Sequence, residues 1–241
     1  MEHDILPGRM QELINHFDPC REVGSPQASG PMRVVEIEAS NQVFLEDYAA
    51  PGRVGLVGGS SLIDSLIQIA TRKLMPDKAR GRWSHAWIFQ GRRRDGHNWI
   101  IESDLETGIK HNRMGVQENR IAKFFDPEAC PALAVLDFGL SESEVDRVMT
   151  HALDLVACQA TYSLLEVLGT ALALQAGTAR QKRNLLGKRR SMYCSAMVQY
   201  VFYKADIDLV PGVHPSHSTP EDLARSPRIQ TLYLLKQPQA Q

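Results

Sequence analysis

The amino-acid sequence predicts an α+β fold, with an antiparallel sheet packed against helices and a cysteine at the N-terminus of one helix. Three observations carry this expectation. Residues 84–102 read as a β-hairpin: two stretches rich in β-branched and aromatic residues, 84–89 and 98–102, flank the polar turn Gly91-Arg92-Arg93-Arg94-Asp95-Gly96. Residues 142–157 and 162–176 carry apolar side chains at helical intervals. Cys194, Met197, Val198, Val201, Phe202 and Ala205 recur at the same spacing, on one buried stripe. Ser191 is available as the N-cap, which puts the thiol in the first turn of that helix.

In chain order, residues 1–45 read as an N-terminal extension and linker, and 46–241 as one compact domain. Within the extension, 10–17 has the pattern of a short helix, and the Gly24-Ser25-Pro26 to Gly30-Pro31 stretch breaks it. Residues 32–37 alternate like a strand. The apolar run Val54–Val57 predicts a buried strand ended by Gly58-Gly59. Ser60-Ser61, with Asp64 behind it, caps a helix from Leu62 to about Leu74. The glycine pair between that strand and helix has neither GxxxxGK[ST] nor GxGxxG around it, so it reads as a turn and not as a phosphate loop.

Beyond the hairpin, Gly108-Ile109 and Gly115-Val116 read as strand and turn pieces, and 132–137 as a strand. Ser141-Glu142-Ser143-Glu144 caps the helix at 142–157, with Val145, Val148, Met149, Ala152, Leu153 and Val156 inside. Ser218 to Leu223 is a capped turn, and Ile229 to Leu235 a final strand.

The composition narrows the function. A net charge of −1 gives no bulk attraction to nucleic acid, and no nucleic-acid partner is expected. The 4 cysteines, Cys20, Cys130, Cys158 and Cys194, include no CxxC pair, hence neither a disulfide framework nor a zinc-site spacing. No metal and no cofactor is expected. The N-terminus lacks the basic start and apolar core of a secretory signal, and no apolar run is long enough to cross a bilayer. The expectation is a cytoplasmic chain as synthesised, with export by a signal-independent route open.

The candidate chemistry starts from Cys194. At a helix start, unpaired backbone N–H groups and the helix dipole favour a thiolate, which is the nucleophilic form. A thiol nucleophile needs an imidazole to take its proton, and the imidazole needs a third group to orient it. If the hairpin is symmetric about its turn, His85 faces Glu102, Trp87 faces Ile100 and Phe89 faces Asn98, with opposed Cβ atoms about 5 Å apart on one sheet face. A slip of one residue would send Glu102 to the other face. The candidate set is Cys194 as nucleophile, His85 as base and Glu102 as orienting group, with Asp104 and Glu106 as substitutes for Glu102. His97, His111 and His151 have no comparable partners. His214 and His217 lie three apart in a proline-rich loop without two further ligands. Tyr193 and Tyr233 read as packing residues.

These pieces, Gly52-x-x-Gly55, Ser61-Leu62-Ile63, Trp83-Ser84-His85-Ala86-Trp87-Ile88, Ile100-Ile101-Glu102 and Tyr193-Cys194-Ser195-Ala196-Met197-Val198, resemble the circularly permuted branch of the NlpC-type papain-like hydrolases. That branch includes YiiX-like proteins and the lecithin:retinol acyltransferase group, and in it the strand histidine precedes the cysteine helix. The resemblance spans about residues 50–235. It implies a permuted papain-like fold with Cys194, His85 and Glu102 as the catalytic set. Two features depart from the pattern: Ala196 stands where many relatives carry an acidic residue, and the insertion over 117–178 is long.

The expected reaction is acyl transfer through a thioester. The leading substrate class is lipid acyl esters of the phospholipid type; a cell-wall peptide amidase and a non-catalytic binding module are the alternatives. Apolar residues in 63–74 and 164–176 would line an acyl pocket. The basic segment 180–190, with Arg180, Lys182, Arg183, Lys188, Arg189 and Arg190, would meet an anionic membrane surface.

Overall fold

The centre of the molecule is a seven-stranded mixed sheet, seen in a computed structural model that describes residues 31–60, 81–105, 114–157 and 194–237. The strands are β1 (Arg33–Glu38), β2 (Val54–Gly58), β3 (His85–Arg92), β4 (Asn98–Leu105), β5 (Met114–Arg120), β6 (Ala132–Asp137) and β7 (Thr231–Lys236). They lie in the order β1-β7-β6-β2-β3-β4-β5. β1 pairs with β7 in parallel, and every other pairing is antiparallel. The helices are α1 (Asn41–Tyr48), α2 (Glu142–Ala157), α3 (Cys194–Lys204) and the short α4 (Pro220–Ala224). The expected helices at 10–17, 62–74 and 162–176, the Ser191 cap, His111 and the basic segment 180–190 lie outside the described residues.

Both faces of the sheet are covered. On one, Val54, Leu56, Ile88, Ile101, Ala134 and Leu136 pack with Val148 and Ala152 of α2 and with Met197, Val198, Val201 and Phe202 of α3. On the other, Val57, Trp87, Phe89, Ile100, Leu133 and Val135 pack with Phe44 and Leu45 of α1 and with Ile121 and Phe124 of a 3-10 turn at Ile121–Phe124. Covering both faces explains why β2 and the middle of β3 read as continuous apolar runs and not as alternation.

The expected domain start near residue 45 falls inside α1, whose Phe44 and Leu45 are fully buried, and the sheet begins earlier still, at Arg33. α1 gave little sequence signal: eight residues with three buried side chains, started by Ser40, whose hydroxyl accepts from the Val43 N–H. In α2 the Ser141–Glu144 capping box forms as expected, the Glu144 carboxylate accepting from both the Ser141 N–H and its hydroxyl. The buried stripe is rotated, however. Leu155 lies inside, whereas Leu153, expected inside, is exposed. α3 is buried beyond the expected stripe, since Ser195, Ala196, Gln199 and Tyr203 are buried too. It is a central helix, closed in by the sheet on one side and by the 214–224 segment on another.

The hairpin register differs from the symmetric one. Glu102 faces Trp87 and Ile100 faces Phe89, a displacement of two residues. The cause is a β-bulge between Phe89 and Gly91, where Gly91 adopts φ 96°, and a turn in which the Arg93 N–H donates to the His97 carbonyl and the Gly96 N–H to the Arg93 carbonyl. Because the displacement is even, the side chains keep their faces. His85 and Glu102 therefore stay on one face as diagonal neighbours.

Candidate active site

His85 opens β3, and Cys194 is the first described residue of α3. Both positions are fixed by the chain around them. Ser84 is buried; its hydroxyl donates to the Val57 carbonyl at 3.1 Å and accepts from the Gly59 N–H at 3.0 Å. Its own N–H donates to the Val57 carbonyl at 2.8 Å. The glycine pair serves this approach: a Cβ on Gly58 would lie 2.2 Å from the Arg82 carbonyl oxygen. Gly55, opposite Trp87 in β2, has the same kind of role, because a Cβ there would lie 2.0 Å from the indole ring. The indole lies across the glycine and stacks on Phe124, with centroids 4.2 Å apart and planes 12° from parallel. The His85 ring stands beside this pair, 6.3 Å from Trp87 and 6.0 Å from Phe124 between centroids.

On the helix side, Ser195 is fully buried and its hydroxyl donates to the Ser218 carbonyl at 2.7 Å. Thr219 and Asp222 then form a capping box on α4. The next carboxylate, Glu221, accepts from the Arg82 N–H at 3.1 Å. The 218–222 segment therefore joins the residue after Cys194 to the strand entry before His85. The capped turn was legible in the sequence; its position between the two site elements was not.

His85 Nε2 lies 2.7 Å from Glu102 Oε2. The other ring nitrogen, Nδ1, is left for a second partner, and the Cys194 thiol lies near enough to the ring to favour its protonated form. Cys194 is 7% exposed and the Glu102 side chain 0%, so these groups act on one another in a medium of low effective dielectric, where charges act strongly. Burial alone would lower the pKa of His85. The charge of Cys194 and its hydrogen bond, then those of Glu102, outweigh burial and hold His85 well above the ordinary histidine value. Glu102 is anchored by two further donors on its other oxygen, Asn119 Nδ2 at 2.7 Å and Lys123 Nζ at 2.7 Å. Neither was singled out in the sequence. Asn119 sits on β5 and Lys123 in the 3-10 turn after it, and nothing local marks either as a partner of residue 102.

The structure thus brings Cys194, His85 and Glu102 into one line of contacts. Asp104 is a β4 residue paired with Gly115. Glu106 lies outside the described residues, as does Tyr193. Tyr233 packs against Tyr48 and under Arg53, within the β7–α1 region. His97 is exposed in the hairpin turn, and His151 sits half-buried on α2. His214 and His217 are buried with ring centroids 5.8 Å apart. Among the described residues no group of three or more His, Cys, Asp or Glu side chains is arranged to hold a metal ion, and no helix is long and apolar enough to cross a membrane.

No protein-family model matches the chain, and no curated protein matches it in sequence. Among solved structures it is similar to the metalloprotein yiiX from Escherichia coli O157:H7, with 14% identity and a TM-score of 0.41. That match covers 64% of this chain and 65% of the neighbour's, a little under two thirds of the neighbour's length.

Proposed function

We propose that the protein is a cysteine-dependent acyl hydrolase or acyltransferase of the permuted NlpC-type papain-like kind, acting on lipid acyl esters through a thioester. The observation that carries the reading is the convergence of Cys194, His85 and Glu102: the thiol on α3 acts electrostatically on the imidazole, and a buried carboxylate lies 2.7 Å from its Nε2. The chain order, histidine strand before cysteine helix, supports the permuted arrangement.

In this reading the Cys194 sulfur attacks the acyl carbon. The carbonyl oxygen gains charge beside the N–H groups at the start of α3, which stabilise it. The ester C–O bond then breaks, and His85 gives its proton to the departing alkoxide, leaving a thioester on Cys194. Water or a second acceptor attacks the thioester carbon, His85 takes the acceptor's proton, and the sulfur departs. Glu102 holds the ring in position and stabilises its charged form throughout. The basic segment 180–190 supplies the charge that attracts phosphate headgroups.

The test incubates the wild-type protein and Cys194→Ala with phospholipid vesicles and, in parallel, with purified peptidoglycan. Fatty-acid release that vanishes in Cys194→Ala is the expected result. Cys194-dependent release of peptide fragments would replace the lipid substrate with a cell-wall amide. No turnover on either, with a thiol that resists alkylation, would overturn catalysis and leave a binding module.

A further inference from the structure

We infer that Lys123, seconded by Asn119, is a positioning residue of this site, supplying the positive charge that keeps Glu102 ionised and so sets the pH at which Cys194 becomes reactive. The inference rests on the catalytic reading above and extends it to a fourth charged group.

The geometry is a chain of alternating charge. The Cys194 thiol acts electrostatically on His85; His85 Nε2 meets Glu102 Oε2 at 2.7 Å; Glu102 Oε1 meets Lys123 Nζ at 2.7 Å. Glu102 has no exposed surface, and a carboxylate in that position is costly unless paired and hydrogen-bonded. His85 cannot be its permanent counter-ion, because the proposed cycle requires His85 to give up its proton. When it does, Lys123 remains as a cation paired with Glu102. The Lys123 side chain is 26% exposed, so its ammonium reaches the buried carboxylate while part of the side chain stays in water.

The groups facing Glu102 from the surrounding elements are His85 on β3, Asn119 and the directly opposed Gln117 on β5, and Lys123 in the 3-10 turn. The Cys194 sulfur of α3 lies beyond His85. Asn119 and Gln117 are neutral. Asn119 donates to the same oxygen as Lys123, so two donors on Oε1 turn Oε2 toward the imidazole. Removing Lys123 takes a positive charge away from the buried carboxylate, and the site offsets the loss by holding a proton to higher pH, on Glu102 or on the sulfur. In both cases the reactive sulfur appears later in a titration. A unit charge about 10 Å from a partly buried group moves its midpoint by about one pH unit, an approximately tenfold change in reactive fraction below the midpoint.

The experiment measures the rate of iodoacetamide alkylation at Cys194 in the full chain, resolved by peptide mass spectrometry, across acid to alkaline pH. Wild type is compared with Lys123→Met, Lys123→Gln, Lys123→Arg and His85→Ala, with folding checked by circular dichroism. The midpoint is expected to rise by about one unit in Lys123→Met and Lys123→Gln and to return in Lys123→Arg. If Lys123→Met does not fold, Lys123→Gln, which keeps a hydrogen-bonding group without the charge, carries the comparison. An unmoved midpoint in a folded Lys123→Gln, or a rate lowered equally at every pH, overturns the role of Lys123. A Cys194 whose pH dependence ignores His85→Ala overturns the catalytic pair itself, so the two failures are distinguishable.

Discussion

Glu102→Gln isolates the charge of the orienting group from its shape. Three donors converge on the two oxygens of Glu102: the His85 ring at 2.7 Å, Asn119 at 2.7 Å and Lys123 at 2.7 Å. A glutamine keeps one oxygen and turns an NH2 group toward at least one of these donors. The hydrogen bond from protonated His85 falls from charge-assisted to neutral at best, a loss of about 1–2 kcal/mol. At about 1.4 kcal/mol per unit, the pKa of His85 drops by about one unit. The sign follows from the role of the proton. His85 is held well above its ordinary value, and as pH rises through that value it can no longer protonate a leaving alkoxide. Lowering its pKa therefore moves the alkaline limb of the kcat/KM profile down by about one unit, and kcat/KM at the optimum falls about tenfold or more. The assay is a pH–rate profile on an activated acyl ester, with Cys194→Ala subtracted as background. A folded Glu102→Gln variant with full Cys194-dependent turnover and an unmoved alkaline limb would refute the role given to Glu102.

Two structural predictions accompany it. Gly55→Ala puts a Cβ into the Trp87 indole and is expected to destabilise the fold by about 1–3 kcal/mol in urea unfolding, because the stack on Phe124 beside His85 must shift; unchanged stability would show that Trp87 has room to move. Ser195→Ala removes a buried hydrogen bond to the Ser218 carbonyl and is expected to cost about 1–2 kcal/mol; a variant as stable as wild type would mean the 218–222 segment does not depend on that tie.

The hairpin shows how the right pairing can follow from an inexact register. Symmetry about Arg92–Asp95 set His85 opposite Glu102, and the real pairing is shifted by two residues through the bulge before Gly91. The shared face survived because side-chain direction in a strand depends only on parity. The contact survived because diagonal neighbours on one face are within reach of a histidine and a glutamate. The helix of Cys194 was legible for a similar reason: its apolar spacing is local. By contrast, α1 and the rotation of the α2 stripe were not legible, since the burial of Phe44 or Leu155 depends on what packs above them.

By itself the sequence determined the α+β character, the main strands of the sheet, the cysteine-opened helix, and the histidine and carboxylate on paired strands. These follow from periodicities of two and of 3.6 residues, which the backbone imposes over short distances. Only the tertiary structure decided that β1 and α1 belong to the sheet and core, that Glu221 and Ser195 tie the two site elements together, and that Asn119 and Lys123 anchor Glu102. Those contacts join residues distant in the chain, and a charge such as that of Lys123 looks like any solvated lysine until folding brings a buried carboxylate to it.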